Sequence, residues 1–268
     1  MGVDCVSGGE IETALRAGFK ADNIVFAGVG KSDWEIKLAL ENNIFYFNVE
    51  SIQELEVIEQ LCIEMNQTAN VCLRVNPNVN AHTHKKITTG LAENKFGIPV
   101  DSVWEGIEKM QAMKHVRFIG LHFHIGSQIV NLNDFRELCT SVNSLLELLK
   151  QHSIEPEHIN VGGGLGIDYD DPTSHPIPDF KAYFDMHAQH LQLNERQKVH
   201  FELGRSLVGQ CGYLVSHVLY VKQGQSKHFL ILDAGMNDLL RPALYHAKHQ
   251  IVNLSNPSAT SEVYDVVD

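Results

Sequence analysis

The stretch Gly120-Leu-His-Phe-His-Ile-Gly-Ser-Gln128 holds the densest reactive chemistry of the chain. An apolar run from Val116 to Leu121 reads as a buried strand. It runs out into His122, His124, Gly126 and Ser127. Residues two apart on a strand share a face, so both histidines are expected to point the same way. Gly126 and Ser127 free the backbone where the strand should end. Nitrogen-bearing rings, a turn and a hydroxyl at one strand end suit a planar, anionic ligand. They also suit a metal.

Three further groups could join that chemistry. Gly162-Gly163-Gly164 directly follows an apolar strand, and consecutive glycines expose N–H groups to an approaching anion such as phosphate. The same glycines could serve only a tight turn. Glu202 closes another strand; it could pair with Arg205 or hold a proton on a ring nitrogen. Arg241 and Tyr245 follow Asp233-Ala-Gly-Met-Asn237, and a guanidinium suits bidentate capture of a carboxylate, although a surface arginine capping a loop would read the same. A metal at His122 and His124 needs ligands on neighbouring strand ends. His158 begins its strand and His200 lies within one, which favours His124 as a ring packing on a flat ligand and His122 as a packing residue.

The elements that must position these groups alternate regularly. Strands are expected at Val3–Val6, Ile24–Ala27, Ile44–Val49, Val71–Val75, Val116–Ile125, Ile159–Val161 and Val199–Leu203. Helices are expected between them, with Ser32/Glu35 and Ser51/Glu54 as capping boxes and Gly18 as a C-terminal cap. A polar segment, Val79 to Phe96, precedes a helix over Val100–Met113. The alternation implies βαβ units and a parallel sheet. Unusual residues close nearly every strand (Ser7, Gly28, Asn48, Arg74, His124, Gly162, Glu202), which is where a (β/α)8 TIM-type barrel keeps its site. An open doubly wound sheet would gather them at one switch point. Seven units are visible, so the first barrel strand is expected to be missing. After Arg205 the pattern turns β-rich, with a hairpin over Tyr213–Val221 and His228–Leu232 and a strand at Val263–Val267. The expected domains are an incomplete barrel over 1-206 and the start of a C-terminal β domain over 207-268.

The chain has 268 residues, 44% hydrophobic and 20% charged, which is globular composition with length for a sizeable core. A net charge of −12 argues against general binding of nucleic acid or anionic membrane. No apolar run is long enough to span a bilayer. Cys5, Cys62, Cys72, Cys139 and Cys211 are odd in number and scattered, which reads as free thiols in a reducing, cytoplasmic compartment.

Taken together, HxHxGSQ (His122 to Gln128), GGGLG (Gly162 to Gly166), E-x-GR (Glu202 to Arg205) and DAGM…RPALY (Asp233 to Tyr245) resemble the fold-type III pyridoxal-phosphate-dependent decarboxylases, and within them the diaminopimelate decarboxylase family. Ser7-Gly8-Gly9-Glu10 and the stretch Thr89 to Gly97 match the same group. The resemblance implies a (β/α)8 barrel followed by a β-sandwich-like domain, pyridoxal 5′-phosphate as cofactor, and decarboxylation of meso-diaminopimelate to L-lysine. It implies that His124 stacks on the cofactor ring, that Ser127, Gly162, Gly163 and Gly164 hold the phosphate with Gly204 and Arg205 in the same cradle, and that Glu202 meets the ring nitrogen. Arg205, Arg241 and Tyr245 would bind substrate. A homodimer is implied as well. Decarboxylases of arginine, ornithine or carboxynorspermidine, a non-catalytic pyridoxal-phosphate-binding barrel, and a metal-dependent hydrolase are the alternatives.

Two departures accompany the resemblance. The family's cofactor-bearing lysine, in a Tyr-x-x-Lys-x-Asn-type motif, has no match here, and Lys20, Lys31 and Lys37 are expected on loops or helices. The family's Cys-Glu-Ser-x-Asp loop has no match either. The chain by itself is therefore expected to be catalytically silent. Leu203 stands where the family usually has proline, a change of slight expected effect.

Overall fold

The computed structural model describes residues 1–77, 79, 95–260 and 262–268. The matching stretch Thr89 to Gly97 falls outside them over its first six positions, as does most of the expected polar segment. Among the described residues, eight strands, one of them the two-residue β5, alternate with helices in the first part of the chain: β1 (Val3–Cys5), α1 (Gly8–Arg16), β2 (Ile24–Phe26), α2 (Asp33–Glu41), β3 (Tyr46–Val49), α3 (Ile52–Met65), β4 (Ala69–Asn76), β5 (Ile98–Pro99), α4 (Val103–Ala112), β6 (Val116–His122), α5 (Leu132–Gln151), β7 (His158–Asn160), α6 (Phe180–His190) and β8 (Lys198–His200). The sheet order is β1-β2-β3-β4-β6-β7-β8, all parallel, with β5 attached to the end of β4.

The sheet is curled into a barrel wall. Four strand spacings separate β3 from β8, about 19 Å in a flat sheet. Yet the Asn48 amide of β3 lies 3.4 Å from the Glu202 carboxylate just past β8. Similarly, Tyr46 of β3 accepts a hydrogen bond from Asn160 of β7 at 3.0 Å. Only closure around an interior brings these side chains together.

Local sequence explains where the helices begin. Ser32 and Glu35 form the reciprocal capping box that their spacing predicts. At Ser51 only half of the box forms. The Ser51 hydroxyl accepts from the Glu54 N–H, whereas the Glu54 carboxylate accepts from the Glu50 N–H at 2.8 Å and from Lys31 at 2.6 Å. Lys31, in the loop after β2, offers a charged donor that outcompetes the Ser51 amide. Gly18 follows α1 at φ +90°, the left-handed setting that closes a helix. The helices bury one apolar face each against the strands; Phe135, Leu138, Val142, Leu145 and Leu149 of α5 are buried together with Ile159 and Val161 around β7.

Several expected boundaries shift. The strand from Val116 ends at His122 instead of Ile125; its last ladder bond runs from the Phe123 N–H to Asn160 O of β7 at 2.8 Å. The expected helix over Val100–Met113 opens with a 3₁₀ turn at Val100–Ser102.

The chain divides into two units, Met1–Gly166 with Asp179–Arg205, and Ile167–Pro178 with Ser206–Asp268. The second contains the helical turn α7 from its second residue (Arg205–Val208), the antiparallel hairpin β9 (Val218–Gln223) and β10 (His228–Leu232), α8 (Arg241–Tyr245), and β11 (Asp265–Val267) parallel to β10. The Pro- and Asp-rich loop groups with it through bonds such as Gln210 to His175 O at 3.1 Å. Among the described residues, no helix is long and apolar enough to cross a membrane.

Candidate functional site

The C-terminal ends of β6, β7 and β8 meet around one carboxylate. His122, Asn160 and His200 stand side by side in the register, and Glu202 lies two residues beyond His200. Glu202 is largely buried. Its Oε2 lies 3.0 Å from His122 Nε2, and its Oε1 accepts from Asn160 at 2.7 Å and from Asn48 at 3.4 Å. Burial pushes this carboxyl up, but the His122 ring and its hydrogen bond, then His124 and Asn160, outweigh burial and hold it well below the usual carboxylate range. Glu202 is thus an anion inside the barrel. Against an anion, His122 Nε2 must be the donor.

His122 is therefore not a packing residue, as its type and spacing suggested; it is the principal partner of Glu202. Asn48 was marked by its place at a strand end, whereas Asn160 was legible only as a polar residue in an apolar strand. Among the described residues, His122 Nδ1 and Asn48 Oδ1 are buried without a hydrogen-bond partner.

His124 lies just outside the strand, so the two-residue rule no longer governs its direction. Its Nδ1 accepts from the Gly163 N–H at 3.3 Å. Burial, followed by the nearby Arg74 charge, depresses this imidazole to about 4, so it is a neutral flat ring at physiological pH. Ser127 is half-buried in the turn beyond it.

The glycine loop has a structural reason as well as a chemical one. A Cβ on Gly162, Gly163 or Gly164 would meet backbone oxygens of Phe123, Glu202 or Gly126 at 2.3, 2.0 and 2.4 Å. The glycines let three strand-end loops touch. The Gly162 N–H donates to Asn160 Oδ1 at 2.9 Å and the Gly163 N–H to His124. Two of the three amides expected to face an anion are engaged within the barrel. Gly204 is exposed with open space around it, and Arg205 donates to Gln128 Oε1 at 3.2 Å, tying the β8 end to the β6 turn.

A second charged centre occupies β2 to β4. Glu50 receives Arg74 at 2.6 Å, the Gly28 N–H at 3.1 Å and the Gly97 N–H at 2.9 Å. Lys31 is buried and donates to Gly28 O, Asn48 O and Glu54 at 2.8, 2.8 and 2.6 Å. All three of its ammonium protons have acceptors, as expected of a lysine with no cofactor-bearing role. Lys37 is on α2 and Lys20 precedes a 3₁₀ turn.

Lower in the barrel, His158 Nδ1 lies 2.8 Å from His200 Nε2, with Phe45 and Tyr46 against both rings. Burial keeps both imidazoles below their usual range, His200 at about 4. One ring must donate and the other accept. Among the described residues, no group of three or more His, Cys, Asp or Glu side chains is placed to hold a metal.

Arg241 and Tyr245 belong to the second unit. The Arg241 guanidinium lies 5.5 Å from the ring centres of both Tyr169 and Tyr245, so the loop at Tyr169 and helix α8 set the direction of this arginine by cation–π contact.

Residues 1–209 match the family described as pyridoxal-dependent decarboxylase, pyridoxal binding domain. The diaminopimelate decarboxylase of Bacteroides thetaiotaomicron is 60% identical over 267 residues, covering 100% of this chain and 69% of the relative. That of Aquifex aeolicus is 39% identical, covering 99% of this chain and 63% of the relative. The crystal structure of the Helicobacter pylori enzyme complexed with L-lysine superposes with a TM-score of 0.90 at 41% identity, covering 99% of this chain and 66% of that one. The chain thus spans about two thirds of the length of these proteins.

Proposed function

The chain belongs to the diaminopimelate decarboxylases of the pyridoxal-dependent decarboxylase family, and from that premise we propose that the whole protein removes carbon dioxide from meso-2,6-diaminopimelate to give L-lysine. Pyridoxal 5′-phosphate is the proposed cofactor. The observation that carries this is Glu202, a largely buried anion held by the His122 ring and the Asn160 and Asn48 amides beside a neutral flat imidazole. That pair fits a cationic aromatic ring: a face for stacking and an acceptor for a ring N–H. The orphaned His122 Nδ1 and Asn48 Oδ1 beneath it fit a site built for use at some cost in stability.

When bound, the cofactor supplies the electron sink for the pair left behind as carbon dioxide departs. The chain's residues do the rest. Glu202 keeps a proton on the ring nitrogen by offering a negative acceptor. His124 fixes the plane of the ring, so that the scissile bond can be held perpendicular to it. Ser127, Gly164, Gly204 and Arg205 are the proposed phosphate partners, with Gly162 and Gly163 shaping the loop. Arg205, Arg241 and Tyr245 are the proposed substrate residues, Arg241 taking a carboxylate through its planar fork.

We further propose a homodimer in the cytoplasm, the latter on the free state of all five cysteines. The deciding experiment is carbon dioxide release by the protein expressed from its complete gene. It should act on meso-diaminopimelate and leave arginine, ornithine and carboxynorspermidine nearly untouched. Equal or greater turnover of one of the latter would replace the substrate reading.

A further inference from the structure

The Glu202 carboxylate offers about four lone-pair positions. Asn160 and Asn48 take those of Oε1, and His122 takes one on Oε2. Among the described residues one acceptor position remains, and its direction is set by which way the carboxylate is turned. Asn160 alone would leave rotation about the last side-chain bond weakly restrained. The His122 Nε2–H removes that freedom. His122 is itself fixed, as its strand pairs with β4 at Arg74 and with β7 at Asn160.

The cost of this arrangement is visible. His122 Nδ1 is buried without a partner among the described residues. A buried unsatisfied group costs about 1–3 kcal/mol, which an apolar side chain of similar size would avoid. A residue serving only the core gains nothing from that nitrogen.

We propose that His122 is a positioning residue for Glu202, turning the carboxylate so that the remaining lone pair of Oε2 is the acceptor presented to the ring nitrogen of a flat ligand lying against His124. This rests on the cofactor reading above and adds to it a residue that never touches the cofactor.

The test uses two probes, pyridoxal 5′-phosphate and its 1-deaza counterpart, in which carbon replaces the ring nitrogen. Their dissociation constants are measured by absorbance titration on the protein from its complete gene and on three variants, each checked for folding by circular dichroism. The unaltered protein should favour the nitrogen-containing probe by at least about tenfold, the scale of a charge-assisted hydrogen bond. His122→Gln keeps an N–H donor at similar reach and should keep that preference. His122→Phe, and His122→Asn with its withdrawn donor, should bring the ratio near one while leaving the affinity for the deaza probe within about twofold. If Phe and Asn variants retain the full preference, or weaken both probes equally, the positioning role is overturned. If the unaltered protein binds both probes alike, it is overturned while the cofactor reading stands. If the unaltered protein binds neither, the cofactor reading falls and the inference with it.

Discussion

Two buried carboxylates sit on the same barrel rim and are handled in opposite ways. Glu50 faces a full cation, Arg74, and two backbone amides. Lys31 beside it has three acceptors. That arc is closed: charge meets charge, and the donors named there are consumed. Glu202 faces His122, Asn160 and Asn48. Its hydrogen bonds come from an imidazole and two side-chain amides, and among the described residues one acceptor position remains. A carboxylate neutralised by an arginine is architecture. One held by an imidazole and two amides keeps an acceptor position available to a ligand.

The comparison breaks first if Glu50 is dispensable. Glu50→Ala leaves Arg74 buried and unpaired, and should destabilise the fold by about 3–5 kcal/mol in urea unfolding. Glu202→Gln keeps a side chain of the same size and one acceptor oxygen among an imidazole and two amides, and should change stability by no more than about 1 kcal/mol while lowering turnover by about 10²-fold or more. Similar losses of stability in both variants would erase the distinction.

Gly163→Ala sharpens the picture of the open arc. Its Cβ would lie 2.0 Å from Glu202 O, so the β8 end must move, at about 1–3 kcal/mol. Cofactor affinity should fall with it. A variant of unaltered melting temperature would show that the loops have slack.

Acid should act through the histidines of β6 to β8. His124 and His200 are depressed from an ordinary 6.5 to about 4, chiefly by burial. Between those values the unfolded chain takes up protons that the folded chain refuses. Stability therefore falls as pH drops from 6.5 toward 4 and levels off below. Each group contributes a slope of at most about 1.4 kcal/mol per pH unit. His200→Gln should flatten the profile between pH 5 and 6, as followed by urea midpoints; an unchanged slope would remove His200 from the account.

The smallest expected effect has the opposite sign. Gly9 lies in α1, far from either carboxylate in role, with nothing within 4 Å of an added Cβ. Gly9→Ala should stabilise by about 0.5–1 kcal/mol without changing cofactor binding.

Much of the barrel could be read from local signals. Strand–helix alternation, the Ser32/Glu35 box and Gly18 are short-range, and they place α1, α2, β2 and β6 to within a few residues. The site was less legible. His122 and His124 look equivalent in sequence, but the strand ends between them, so one turns to Glu202 and the other to the Gly163 amide. The Ser51/Glu54 box failed in half because Lys31, distant in sequence, claimed the glutamate. Asn160 carried no motif beyond being polar within Ile159–Val161, and β5 is too short to leave a period.

By itself the sequence determined the parallel βαβ order, the kinds of side chain at the strand ends, and through its motifs the family. Those properties depend on periodicity and neighbours along the chain. Curling of the sheet decided which charges meet. It placed β3 against β7 and β8, gave Glu202 an imidazole and two amides and Glu50 an arginine, and left one Glu202 acceptor position open among the described residues. Hydrogen-bond partners are chosen by distance in space, and residues such as Asn48 and Glu202 become neighbours only when the barrel wall bends round to join them.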